Sequence, residues 1–190
     1  MPLVAIARFV GQKVASRISF TAIDEGVDGR FVSDSGDERR VEMTAAINGM
    51  DEVLRMEMLE HRGEAPAFGA IRASGRKHKR VFDRNQSYGG RVDKHDYGYI
   101  LPLLRQRLRA KVAGAAKREA YRGAWLGIVF DDNAALQSKR QSRFDPLCEQ
   151  LFTRGNGIAA FDRAFCVGIT GTYIFDSETL TGWLLPPLGR

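Results

Sequence analysis

Residues 28–46 read DGRFVSDSGDERRVEMTAA, and this stretch has the pattern of a β-hairpin. Two extended runs, residues 29–32 and 39–44, flank the segment SDSGDE, whose Ser, Asp and Gly residues favour a turn. Upstream, residues 17–23 (RISFTAI) alternate and include β-branched and aromatic residues, which is typical of a strand. The chain from residue 17 to residue 44 therefore predicts a three-stranded meander.

The rest of the chain predicts helices and further strands around this meander. Residues 3–10 are apolar and fit either a strand or a short helix. The other predicted helices span residues 48–61, 99–121 and 145–152, and the other predicted strands span residues 124–130, 165–169, 172–175 and 182–185. The run AWLGIVF at residues 124–130 is continuously apolar and predicts a buried central strand. We predict one α/β (α+β) domain over residues 1–190, with a mixed central sheet flanked by helices.

Composition limits the class of protein. The chain has 190 residues, of which 44% are hydrophobic, and this suits one domain with a real core. No apolar run approaches the roughly 20 residues of a membrane span, and the N-terminus lacks the order of a secretory signal. Cys148 and Cys166 are too few for a disulfide framework, so we expect two buried thiols. These features predict a cytoplasmic protein without membrane association.

Charge is distributed unevenly along the chain. Its net charge is +6, with 12 acidic and five basic residues over residues 24–64 but 15 basic and four acidic residues over residues 72–122. An acidic segment followed by a strongly basic one suggests an anionic partner held near a carboxylate-rich centre. The alternative is a solvated surface whose charge is simply uneven.

Two acids of the hairpin are candidates for one site. Asp28 lies where the first hairpin strand begins, and Glu42 lies near the end of the strand that returns beside it. Strand pairing is expected to bring the two carboxylates together, and converging carboxylates are the ligands that Mg²⁺ uses when it activates water against a phosphate.

The order of Asp28, a turn and residues 41–44 (VEMT) resembles the PD-(D/E)XK nuclease superfamily, which has the restriction-endonuclease-like fold. The resemblance covers the element order from about residue 17 to residue 175, and it implies that Asp28 and Glu42 bind Mg²⁺ or Mn²⁺. Val27 stands where the motif has proline, and Thr44 stands where it has lysine. In divergent members the lysine comes from a following helix, which implies Lys111 here, with the Thr44 hydroxyl orienting a water or a phosphate.

A long basic loop or insertion is predicted over residues 63–98, and it contains the run GRKHKRVFDR at residues 75–84. Guanidinium and ammonium groups bind phosphates without reading bases. We therefore expect a nucleic-acid partner, DNA more than RNA, contacted by Arg76, Lys77, Lys79, Arg80 and Arg84.

Each candidate residue also has an ordinary structural interpretation. Glu42 can pair with Arg39, Arg40 or a cross-strand base, Asp28 can form a turn with Gly29, and Lys111 can extend from the edge of a helix toward solvent. The functional hypotheses are accordingly a metal-dependent nuclease, a catalytically inactive nucleic-acid-binding protein on the same fold, and a protein-interaction module.

Overall fold

The computed structural model describes residues 2–11, 15–20, 27–33, 36–47, 60, 73–74, 81–82, 100–115, 119–132, 135–153, 158 and 161–186. Within these residues the strands are β1 (Ala15–Phe20), β2 (Gly29–Ser33), β3 (Glu38–Ala46), β4 (Ala73–Ser74), β5 (Val81–Phe82), β6 (Ala124–Phe130), β7 (Phe161–Gly168), β8 (Tyr173–Asp176) and β9 (Thr181–Leu184). The helices are α1 (Pro2–Gly11), α2 (Ile100–Ala115) and α3 (Arg140–Thr153), with short 3-10 turns at Glu119–Tyr121 and Gln137–Lys139.

Seven strands form one mixed sheet in the order β1-β2-β3-β6-β7-β8-β9. The first three strands are antiparallel neighbours, β3, β6 and β7 run parallel, and β8 and β9 return antiparallel. Parallel neighbours require a crossover, and α2 and α3 lie in the two crossovers. The fold class is therefore α/β with a mixed sheet, as the sequence predicts.

Helices cover both faces of the sheet. On one face, Leu104 of α2 and Phe144 of α3 pack with the inward residues of β3, β6, β7 and β8, such as Leu126 of β6. On the other face, α1 packs through Ala5 and Ile6 against residues such as Trp125. All seven residues of β6 are buried because this strand lies at the centre of the sheet and has a helix layer on each side.

Most predicted elements are confirmed, with shifted ends. The meander, the central strand, the last three strands and the two buried thiols are present. The apolar N-terminal segment is a helix. Pro2 is the first residue of this helix, a position that proline favours. Residues 48–59 and 61 of the predicted second helix lie outside the described residues, and Glu60 is helical.

Two predicted helices differ from the observed ones in a way that matters. The α2 helix ends at Ala115, and Tyr121 belongs to a separate 3-10 turn rather than to the helix end. The α3 helix begins at Arg140, five residues before the predicted start, and it contains Pro146 in its interior.

None of the described helices is long and apolar enough to cross a membrane.

Candidate functional site

The centre of β3 is a junction between two kinds of strand pairing. On one side β2 pairs antiparallel with β3 from Glu38 to Val41, and on the other side β6 pairs parallel from Val41 to Ala46. Glu42 is the first residue past the end of the antiparallel ladder, so it lies in the middle of β3 and not near its end as predicted. Beyond Val41, the backbone edge of β3 that faces β2 has no strand partner in this ladder, and other groups can bond with it.

Asp28 occupies that edge. Its backbone N–H donates to the carbonyl of Val41 at 3.1 Å, and its carboxylate Oδ2 accepts from the backbone N–H of Met43 at 2.6 Å. Only a carbonyl carbon separates the Met43 nitrogen from the Cα of Glu42, so this oxygen lies within about 5 Å of that Cα. The structure therefore places Asp28 beside the Glu42 backbone, with the Asp28 carboxylate in place of a strand partner. Convergence of the two carboxylates on one ion stays a prediction.

Glu42 points to the face covered by α2. Its neighbours in the strand, Val41 and Met43, pack on the α1 face, and alternation sends Glu42 and Thr44 to the opposite face. The residue is only 4% exposed, although a carboxylate is costly to bury without partners. Thr44 shares this face and is half-buried.

Lys111 supplies the opposite charge. Its Nζ forms an ion pair and hydrogen bond with Glu42 Oε1, and the lysine side chain is 26% exposed. The helix directs it there because Leu104, Leu108 and Ala115 form the buried stripe of α2 and Lys111 lies between the last two. Lys111 therefore reaches the Glu42 strand from α2, as the resemblance implies for the lysine, and its part in catalysis stays a prediction.

Tyr121 is a member of the cluster that the sequence did not reveal. Its hydroxyl donates to Glu42 Oε1 at 2.9 Å, and its ring stacks on Phe161 with centroids 5.8 Å apart. Lys111 Nζ also lies 5.8 Å from the centre of the Tyr121 ring. Gly123, with φ +73°, reverses the chain between this tyrosine and β6. That glycine, just before a central strand, was the available signal of a tight turn.

Two arginines near Glu42, one in its own strand and one across from it, contact other groups. Arg40 donates from Nη2 to the carbonyl of Arg122 at 2.8 Å, and Arg30 forms its ion pair with Glu38 at 3.4 Å. The ordinary interpretation that Glu42 pairs with an arginine of its own strand is therefore wrong, because the α2 lysine takes that place.

The predicted phosphate-contacting run, residues 75–84, begins after one short strand and includes the strand that pairs with it. Ala73 and Ser74 of β4 pair antiparallel with Phe82 and Val81 of β5. The five residues predicted to contact nucleic acid all lie outside the described residues. In sequence, Arg76, Lys77, Lys79 and Arg80 come between the two strands, and Arg84 follows the second. The structure thus leaves their contacts as predictions.

Two other buried carboxylates, Asp132 and Asp176, each have hydrogen bonds and an arginine partner within the protein. Asp132 accepts from the backbone N–H of Thr170 at 3.0 Å and from its hydroxyl at 2.6 Å, and it pairs with Arg140 Nε at 3.2 Å. Asp176 receives two hydrogen bonds from Arg163, at 2.9 and 2.5 Å. Burial would raise the pKa of Asp176, but hydrogen bonds led by Arg163 outweigh it and lower that pKa below its ordinary value.

The donor set suits a hard divalent cation. Asp28 and Glu42 offer carboxylate oxygens, and Mg²⁺ commonly uses one or two carboxylates together with water and substrate phosphate oxygens. Among the described residues no group of three or more His, Cys, Asp or Glu side chains is arranged to hold a metal ion. Asp28 and Glu42 are thus the residues of this edge that could each give a carboxylate ligand to Mg²⁺, with water and phosphate supplying the other ligands.

Comparisons with protein-family models, curated proteins and solved structures found no match for this chain.

Proposed function

We propose that this protein is a divergent metal-dependent nuclease that acts on the phosphodiester backbone of nucleic acid. One observation carries the proposal: the Asp28 carboxylate lies at the β3 edge beside Glu42, and Lys111 is bonded to Glu42. Two acids and a lysine at neighbouring positions are what the resemblance to the PD-(D/E)XK superfamily implies, with the lysine contributed by a helix.

In this proposal each residue has a distinct role. Asp28 and Glu42 would hold Mg²⁺ or Mn²⁺, which supplies an activated water and charge stabilisation at the phosphate when it is bound. Lys111 holds the Glu42 carboxylate and places a positive charge where negative charge develops during phosphate attack. Thr44 lies on the same face of β3 and offers its hydroxyl to a water or a phosphate.

The proposed substrate is nucleic acid, DNA more than RNA. The argument is the concentration of basic residues over residues 72–122, including the basic run next to β4 and β5. Contacts from such residues to phosphates would position the backbone without reading sequence.

A cleavage assay with isosteric variants tests the proposal. Single- and double-stranded DNA and RNA are incubated with the protein in Mg²⁺, in Mn²⁺ and in EDTA. We expect metal-dependent cleavage that falls about 100-fold or more in Asp28→Asn and Glu42→Gln, because each loses a charged ligand. Both replacements keep an oxygen that accepts the existing hydrogen bonds, so the fold is expected to persist.

Glu149→Gln is the matched control, because Glu149 is an exposed acid on α3 away from the cluster. It should cleave as the wild-type protein does. Wild-type protein that shows no metal-dependent cleavage of any of these substrates contradicts the proposal.

A second candidate is a catalytically inactive nucleic-acid-binding protein on the same fold, or a protein-interaction module. The observation in its favour is that both acids already have protein partners: Asp28 bonds the Met43 N–H, and Glu42 bonds Lys111 and Tyr121. Salt-sensitive nucleic-acid binding without cleavage would support the binding protein, and absence of binding at low salt would leave the interaction module.

A further inference from the structure

The Glu42 carboxylate is held asymmetrically. Lys111 Nζ and the Tyr121 hydroxyl both contact the same oxygen, Oε1, and Oε2 is used by neither. A cation that binds Glu42 without displacing either partner must therefore use Oε2. Together the two partners occupy Oε1, and Oε2 is the oxygen that a ligand can use.

Tyr121 touches both members of the ion pair. Its hydroxyl bonds the carboxylate, and its ring lies 5.8 Å from the lysine ammonium, a distance at which a cation is attracted to an aromatic face. The side chain is 4% exposed and stacks on Phe161 of β7, so its position is fixed by packing. A rigid donor of this kind holds a flexible glutamate in one orientation.

The turn that carries Tyr121 is also attached to β3. The next residue, Arg122, accepts a hydrogen bond at its carbonyl from Arg40, which lies two residues before Glu42. The turn is thus held to β3 at two points, Arg40 and Glu42, on the face that α2 covers. Motion of Tyr121 relative to Glu42 is restrained by both contacts.

We infer that Tyr121 is a positioning residue for the metal site, and that it orients Glu42 through Oε1 so that Oε2 can bind a divalent cation. This inference rests on the proposed function. Groups that orient a metal-binding carboxylate usually change metal affinity or activity by about 10- to 100-fold when they are removed. The Tyr121 hydroxyl is expected to act within that range.

The test compares Tyr121→Phe with Tyr173→Phe. Each variant loses one tyrosine–carboxylate hydrogen bond, at 2.9 Å to Glu42 and at 2.8 Å to Asp145, and each keeps its ring. Mn²⁺ alone is titrated into the intact proteins by calorimetry, and cleavage is measured over a range of Mn²⁺ concentrations. We expect Y121F to bind Mn²⁺ about 10-fold or more weakly and to regain cleavage at high Mn²⁺, while Y173F matches the wild-type protein.

The outcomes separate the inference from the proposed function. If the wild-type protein binds Mn²⁺ and cleaves but Y121F equals it, only the inference is overturned. Equal weakening in Y173F also overturns it, since the effect then follows lost stability. Wild-type protein that neither binds Mn²⁺ nor cleaves overturns both.

Folding of the variants is checked by thermal unfolding. If Y121F does not fold, Phe161→Leu replaces it, because this change removes the ring on which Tyr121 stacks and leaves the hydroxyl in place. A weaker Mn²⁺ affinity in F161L, again restored in cleavage by high Mn²⁺, supports the inference, and an unchanged affinity overturns it.

Discussion

Burying a carboxylate costs desolvation free energy, and at Glu42 an ion pair and a hydrogen bond offset that free energy. It is 4% exposed, and its charge is balanced by a lysine 69 positions later in the chain. Removing one member of a buried ion pair leaves the other charge without compensation, which is worse than removing both. Lys111 is 26% exposed, so water screens part of this effect.

At the residue scale we predict that Lys111→Met lowers the free energy of unfolding by about 1–3 kcal/mol, because it leaves the Glu42 carboxylate buried without its counter-charge. The double variant Glu42→Gln/Lys111→Met should lose less than K111M alone, since a neutral amide needs no counter-charge. Urea unfolding of the three proteins measures both quantities.

Lys139→Met serves as the control for this cycle because Lys139 is exposed in a 3-10 turn. It should change the unfolding free energy by no more than about 0.5 kcal/mol. A K111M protein as stable as K139M would show that the ion pair does not compensate for the burial of Glu42.

At the scale of elements, the close approach of α1 to the sheet depends on a glycine. A Cβ placed on Gly127 of β6 would lie 2.9 Å from Ile6 Cδ1 of α1 and closer still to the Met43 side chain of β3. The helix therefore packs where β6 has no side chain, while the opposite face of the same strand carries Leu126 and Ile128 against the α2 layer. Residue size, and not only hydrophobicity, sets the spacing between layers.

We predict that Gly127→Ala lowers the free energy of unfolding by about 1–3 kcal/mol through overpacking. Met43→Ala should cost less in the G127A background than in the wild-type protein, because it vacates the space that the new methyl group needs. Chemical denaturation of the four proteins of this cycle provides the measurement.

Gly114→Ala is the matched control, since a Cβ there meets nothing within 4 Å and the position is in α2. Alanine is the better helix former, so this variant should gain up to about 1 kcal/mol. A G127A protein at least as stable as G114A would contradict the packing argument.

At the scale of the whole molecule, the layer of α2 and α3 and the sheet enclose both cysteines. Cys148 of α3 is 1% exposed, and Cys166 of β7 is 0% exposed. Burial raises the pKa of the Cys166 thiol well above its ordinary value, and neighbouring Cys148 adds to the increase. The thiolate, which is the reactive form, is therefore scarce in the folded protein.

We predict that Ellman's reagent at pH 8 modifies neither cysteine in the native protein on the time scale of its reaction with an exposed thiol. Leu136→Cys provides that exposed thiol, because Leu136 is 77% exposed. Labelling of the native cysteines should accelerate with urea in parallel with global unfolding. Rapid labelling of two thiols in the absence of urea would contradict the packing of α3 on β7.

Local pattern determined much of the fold. Alternation, turn residues and one apolar run predict the meander and the central strand, because these features depend on neighbours in sequence. The same hairpin places Asp28 beside Glu42, since antiparallel pairing is set by the turn between the strands. The predicted start of α3 was five residues late, because the first turns of this helix are stabilised by the tertiary burial of Arg140 and Phe144 and not by a local pattern.

Tertiary structure decided the rest of the site. Lys111 and Tyr121 are 69 and 79 positions from Glu42, and only the crossover through α2 into a parallel strand brings all three together. The sequence by itself determined the strands of the seven-stranded sheet, though not the short pair β4 and β5, and that two acids lie at one hairpin end. That Tyr121 joins Lys111 at the buried glutamate, and that both hold its Oε1 oxygen, depended on packing across the sheet, because no local pattern encodes contacts across a crossover.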